Sequence, residues 1–200
     1  MAPKAKFTKE QIIAIAFEIA REEGLEGLTL RKVAEKLGSS VAPIYVNFND
    51  ASDLIKEVVL KAQRIAIEMS KENYTTMPFL NIGIGILRFA GEYSRIFTSL
   101  TLLKIDKLQE DFFAKDVMLE QMKQDDLLKG FSEEQLSEIY LKMIVFTQGL
   151  CIMAANQLLP LDLDEKKMIE LITNTGEDVI LATKLKKDGY CKKKFRRCLI

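Results

Sequence analysis

An all-α fold is predicted for this 200-residue chain from three observations. Apolar residues recur at helical spacing along most of its length, helix-capping signatures open several of those stretches, and no alternating strand pattern competes with them. Proline occurs only four times, so long helices can run uninterrupted. The pattern predicts an N-terminal three-helix helix-turn-helix domain over residues 1–50. A larger helical domain comes next over 51–188, then a basic tail over 189–200.

The first helix opens on a capping box, Thr8 with Gln11, flanked by Phe7 and Ile12 as a hydrophobic staple. Ile12, Ile13, Ala16, Phe17, Ile19 and Ala20 form its apolar face, and Gly24 stops it. Thr29 is placed to N-cap the second helix, with Leu28 and Val33 as its staple. Leu30, Val33, Ala34 and Leu37 face inward, while Arg31, Lys32, Glu35 and Lys36 lie off that face. Gly38 suits a left-handed terminus. Ser40 is then expected to cap a short third helix running from near Val41 to near Asn47. Ile44 and Phe48 are on its inner side, and Pro43 falls in its first turn, where a missing N–H costs least. A unit this small is marginal by itself and must lean on helices beyond residue 50.

Five further helices are expected in that part of the chain. The fourth spans 50–73, capped by Asp50. The next covers 79–103, with Gly83, Ile86, Ala90, Tyr93 and Phe97 along one side. A shorter amphipathic helix covers 109–124, with Phe112, Phe113 and Met118. Phe131, Ser132, Gln135 and Leu136 repeat the staple-and-box signature and open a helix to 157. The last covers 164–186.

Net charge is zero, but it is unevenly spread. Residues 1–60 carry net −1, residues 61–183 net −6 and residues 184–200 net +7. Lys4, Lys6 and Lys9 form a basic arm free of acids, able to follow a phosphate backbone. The tail YCKKKFRRCLI could bind nucleic acid or anionic lipid, or be a frayed charged terminus. Its Cys198 is third from the end, which excludes prenylation. Cys151, Cys191 and Cys198 have no metal-ligand spacing, and nothing resembles a signal peptide. A reducing compartment is expected, most simply bacterial cytoplasm.

No histidine is present, which removes the commonest general base. With no phosphate loop, nucleophile elbow or metal cluster either, the chain is not expected to be an enzyme or to carry a cofactor or metal. Residues 143–161 are uncharged over nineteen positions, close to the length of a membrane span. Gln148, Asn156, Gln157 and Pro160 interrupt that run, so a helix buried on most sides is expected instead, with no membrane partner.

The turn between the second and third helices has the geometry that presents a helix to a DNA major groove. Residues 7–54 as a set resemble the DNA-binding domain of the tetracycline-repressor (TetR) family of bacterial transcription regulators. The matching features are the capped first helix, Glu23-Gly24-Leu25, Gly27-Leu28-Thr29 and Arg31-Lys32-Val33-Ala34-Glu35-Lys36-Leu37-Gly38. Ile44-Tyr45, Phe48 and Leu54 complete the set. The resemblance implies that Thr29 and the helix start behind it touch a phosphate. It places Arg31 on a base edge or the backbone, and Lys32 near the backbone or in solvent. Ser40, Val41, Ala42 and Pro43 fall at the reading turn. Val41, Ala42 and Pro43 have no side-chain donor, so thymine methyl contacts and groove shape are their means of readout. Tyr45 would meet a phosphate, or else pack as a half-buried aromatic. Asn47 replaces the family's usual His or Tyr and could still donate to a phosphate. Ser39, Ala51 and Asn49-Asp50 also depart from the family pattern; Ala51 removes one phosphate-binding lysine.

The same resemblance implies a homodimer on a palindromic double-stranded DNA operator, paired through residues 135–157 and 165–184. It also implies a small-molecule effector, whose binding would release a repressor by shifting the population of head spacings. Phe89, Tyr93, Phe97, Phe112, Met118, Met122, Met143, Phe146 and Met153 are candidates to line an adaptable apolar pocket for a lipophilic ligand, or to be ordinary core. The rival reading is an all-helical ligand-binding or scaffold protein without DNA activity.

Overall fold

The structure, a computed structural model, describes residues 7–102, 112–160 and 162–187. In chain order it comprises α1 (Lys9–Glu23), α2 (Leu30–Lys36), α3 (Ala42–Tyr45), α4 (Ala51–Lys71) and α5 (Pro78–Glu92). Then come α6 (Ser94–Leu102), α7 (Lys115–Met122), α8 (Glu133–Ala155) and α9 (Glu165–Lys187). No strand occurs among the described residues, as the sequence predicts. Lys4, Lys6 and the basic tail lie outside them.

Two compact units form. The first takes the described residues of 1–67 and 89–113, and the second those of 68–88 and 114–200. The sequence reading places one boundary at residue 50; in the structure α4 and α5 each contribute to both units. Periodicity reveals which face of a helix is buried but not which element covers it, so this sharing has no sequence signal.

In the first unit the capping signals act as read. Thr8 and Gln11 make their reciprocal box, and Gly24 ends α1 at φ +83°. Ile12, Ala16, Phe17, Leu25, Val33, Ile44, Leu54 and Val58 fill the core. The added support that the three-helix head needs comes partly from α6, which packs on α1 and on the 3-10 turn Leu25–Gly27.

The second unit assembles α7, α8 and α9 around the first part of α5. Gly85 allows the tightest crossing: a Cβ there would stand 2.4 Å from the Ser70 Cα, so only glycine fits. Buried Asp125 stands in for a side-chain cap on α5, accepting the Phe79 N–H at 3.0 Å, and it also accepts the Leu127 N–H at 3.0 Å. Gln121 donates to the Ser70 carbonyl at 2.6 Å and the Pro78 carbonyl at 3.1 Å. Ser132 with Gln135 caps α8, and Asp164 caps α9.

Three local expectations are corrected. The helix expected over 79–103 is two helices meeting at Tyr93, whose N–H still bonds to the Phe89 carbonyl and whose carbonyl still accepts from Phe97. Gly91 and Ser94, small residues of the kind found at helix interruptions, flank the break. Residues 109–111 of the helix expected over 109–124 lie outside the described residues; among the described ones the helix begins at Lys115, because Ala114 is left-handed (φ +48°), which leaves Phe112 and Phe113 in a turn. Ser40 does not cap α3; Val41 holds the cap position, with no side-chain bond, and Ser40 accepts the Ser39 hydroxyl through its carbonyl.

Among the described residues one helix, α8, is long and apolar enough to cross a membrane. A third of its apolar window is buried in the second unit, and Leu141 and Val145 are left exposed.

Candidate nucleic-acid interface and effector cavity

The turn between α2 and α3 is a Schellman close. Gly38 at φ +62° sends its N–H to the Glu35 carbonyl, and Ser39 sends its own to the Ala34 carbonyl, both at 2.9 Å. That left-handed residue swings the chain so that α3 starts out of line with α2. Ile44 and Phe48 then anchor α3 to the core at 0% and 3% exposure. With the inner face fixed, the opposite face must point to solvent: Val41 is 37% exposed, Tyr45 56% and Val46 69%.

Thr29 caps α2, its hydroxyl accepting the Lys32 N–H at 3.2 Å, so it has a structural role at the helix start. Arg31 is exposed, as are Ser40, Ala42 and Tyr45. Pro43 and Asn47 are half-buried, with the Asn47 amide leaning back on the Pro43 carbonyl at 3.4 Å. Lys32 is turned toward α1, where its ammonium pairs with Glu23, and Lys36 pairs with Glu22 at 3.2 Å. These exposed pairs are weak and can open to a phosphate. Val46, the most exposed apolar residue of the turn, has no place in the sequence reading; the signal was its position off the Ile44–Phe48 face.

The predicted ligand residues divide between the units. Phe89, Phe97 and Phe112 are buried in the first. The Phe89 ring stacks on Tyr93 with centroids 5.2 Å apart and lies 5.9 Å from Phe112. Arg21 lies over the Tyr93 ring. Together they form a packed aromatic cluster. Met118 is fully buried beneath Ser70, Phe146 is half-buried, and Met153 is 42% exposed.

Met122 and Met143 do line a cavity, between α5, α8 and α9 in the second unit. Phe79, Gly83, Ile86, Tyr140, Thr147, Ile172, Gly176 and Glu177 also face it, as does Asp125. Its free volume is about 40 Å³. That is room for a few waters and well short of the roughly 150 Å³ that admits benzene, so a ligand must push the walls apart. Methionine and aromatic walls yield readily. Gly83 was named from the sequence and Gly176 was not; both face apolar neighbours here. A Cβ at Gly83 would come within 2.8 Å of Ile172, and one at Gly176 within 3.2 Å of Phe79.

Among the described residues no cluster of His, Cys, Asp or Glu could hold a metal. Cys151 is buried, and its thiol is pushed up to about 12 by desolvation, which makes it a poor nucleophile.

No family model matches the chain. A helix-turn-helix-type transcriptional regulator of Staphylococcus aureus strain USA300 is 32% identical over 72 residues, covering 36% of this chain and 39% of that protein. The regulator of strain NCTC 8325 matches with the same figures, so the chain spans about 39% of the length of these curated relatives. Among solved structures, a TetR-family transcriptional regulator from Streptomyces coelicolor superposes with a TM-score of 0.70 at 14% identity, covering 90% of this chain and 82% of that one. A transcriptional regulator from Rhodococcus sp. RHA1 gives 0.65 at 12%, covering 88% and 97%. The fold is that of TetR-type regulators.

Proposed function

We propose that this chain, with its TetR-type fold, is a sequence-specific DNA-binding transcription regulator. It acts as a homodimeric repressor in bacterial cytoplasm, released from a palindromic operator by a small, mainly apolar ligand. The observation that supports it best is the outward face of α3. Val41, Tyr45 and Val46 are exposed side by side on one helical turn whose opposite face is locked into the core. An exposed apolar cluster on a rigid short helix has no use in the monomer, but it suits thymine methyls and groove walls.

Within this reading Tyr45 and the α2 start position the head on phosphates, Arg31 reaches a base edge or the backbone, and residues 41–43 read the sequence. Lys32 exchanges Glu23 for a phosphate. The dimer forms through α8 and α9, whose Leu141, Val145, Ile152, Leu171, Leu181 and Leu185 are exposed apolar residues at helical spacing. That apolar face also accounts for the hydropathy of α8 without a membrane. Ligand in the α5–α8–α9 cavity acts by favouring a head spacing that fits the operator poorly.

Selection of bound duplexes from random DNA tests the proposal. Enrichment of one palindromic sequence is expected. Absence of enrichment with a dimer still present would instead indicate a ligand-binding or scaffold protein.

A further inference from the structure

We infer that Glu22 and Glu23, in the last turn of α1, restrain the head's grip on DNA by competing with phosphates for Lys32 and Lys36 of α2. The inference rests on the DNA-binding reading proposed above. Each lysine described before residue 60 pairs with a carboxylate: Lys9 with Glu57, Lys32 with Glu23, Lys36 with Glu22 at 3.2 Å and Lys56 with Asp53 at 3.9 Å. Arg21 reaches Glu92 at 4.0 Å. Among the described basic residues of that stretch, Arg31 alone is left without an acidic partner.

Two carboxylates at the C-terminal end of α1 face that helix's own negative pole, where acids are unfavourable. The stability of α1 does not explain them; their partners lie on α2. Lys32 and Lys36 are one turn apart, so both ammonium groups lie on the side of α2 that meets α1. Glu35 lines the same surface depression, which sets the two lysines among three carboxyl groups. The four paired side chains are 40–63% exposed, and pairs so open to water are weak enough to exchange. A phosphate that takes Lys32 must first displace Glu23, and the released carboxylate then stands beside the duplex. Both effects subtract from the affinity of each head on any base sequence, because a phosphate contact reads none. Heads that are weak singly hold DNA well only when two engage together. The restraint thereby ties occupancy to the spacing of the heads.

The test is binding of the full chain to a mixed-sequence DNA duplex, by fluorescence anisotropy across a salt series. Wild type, Glu23→Gln, Lys32→Ala and the double variant are compared. Glu23→Gln keeps the side chain's shape and should bind about threefold more tightly, or better, at low salt. Its plot of log affinity against log salt should steepen by up to about one ion per head. Lys32→Ala alone should cost little, because Glu23 already holds that lysine. In the Lys32→Ala background most of the Glu23→Gln gain should vanish, which a general loss of negative charge would not produce. Glu22→Gln with Lys36→Ala forms a second cycle, which decides the matter if a variant of the first fails to fold. No gain from either glutamine variant, or the same gain with and without the lysine, would overturn the inference and leave the regulator reading standing. Absence of DNA binding by the wild type and every variant would overturn both.

Discussion

Ser99 of α6 stands with its hydroxyl 2.5 Å from a carboxylate oxygen of Glu26, and the same oxygen of Ser99 accepts the Leu25 N–H at 3.0 Å. Leu25 and Glu26 belong to the 3-10 turn that joins α1 to α2. One buried hydroxyl thus fixes the corner from which the helix-turn-helix departs. Removing it strands the Leu25 amide and loosens the corner from which α2 and α3 depart.

Ser99→Ala is expected to destabilise the protein by about 1–3 kcal/mol, the usual cost of leaving a buried amide unpaired, measured by urea denaturation. The Ser99 hydrogen bond, then a backbone bond, hold the Glu26 carboxyl below its ordinary range. A carboxyl lowered on folding contributes stability that is present above its unfolded pKa and disappears as pH falls through its folded value. The wild type should therefore lose stability more steeply than Ser99→Ala across the acid range below the ordinary glutamate pKa. Parallel pH profiles would contradict the assignment.

Gly85→Ala should be among the most damaging single changes. The added methyl meets the α4 backbone at Ser70, with contacts of 2.4 and 2.5 Å that no rotamer change relieves. A loss of about 1–3 kcal/mol or more is expected from overpacking. Gly91→Ala, where no described atom lies within 4 Å of the added carbon, serves as the control and should be neutral or slightly stabilising. Equal melting temperatures for the two variants would show that the crossing is not tight.

Val145→Glu changes a residue 63% exposed in the isolated chain, so a monomer should tolerate it. In a dimer built on α8 and α9 it buries an unpaired charge. Sedimentation should then report a mass near 22.8 kDa for the variant and twice that for the wild type. A wild-type monomer, or a variant dimer of unchanged affinity, would remove the interface.

Local signals carried much of this architecture. The capping boxes at Thr8 and Ser132, the cap at Thr29 and the left-handed Gly38 are each set by residues within a few positions, so the sequence states them outright. The inward side of α3 was equally legible from Ile44 and Phe48. What the sequence did not show depends on distant partners. The hold of Ser99 on the head, the capture of Lys32 by Glu23, and the assembly of a cavity from α5, α8 and α9 all join segments that periodicity cannot pair. The aromatic residues expected in a pocket show the same limit: the sequence does not reveal that the Phe89 and Phe112 rings pack on one another. Helix breaks fell between, since Gly91 and Ser94 permit the break at Tyr93 but do not compel it.

The exposed turn of α3 is proposed to read DNA, and the most direct test is the affinity of Tyr45→Ala for the selected palindrome, by fluorescence anisotropy at several salt concentrations. Because Tyr45 is 56% exposed, its truncation should leave the melting temperature within a degree or two of the wild type. Binding should weaken about tenfold or more, as expected for the loss of a contact worth about 1–3 kcal/mol. Unchanged affinity and salt dependence in Tyr45→Ala and in Arg31→Ala would contradict the account.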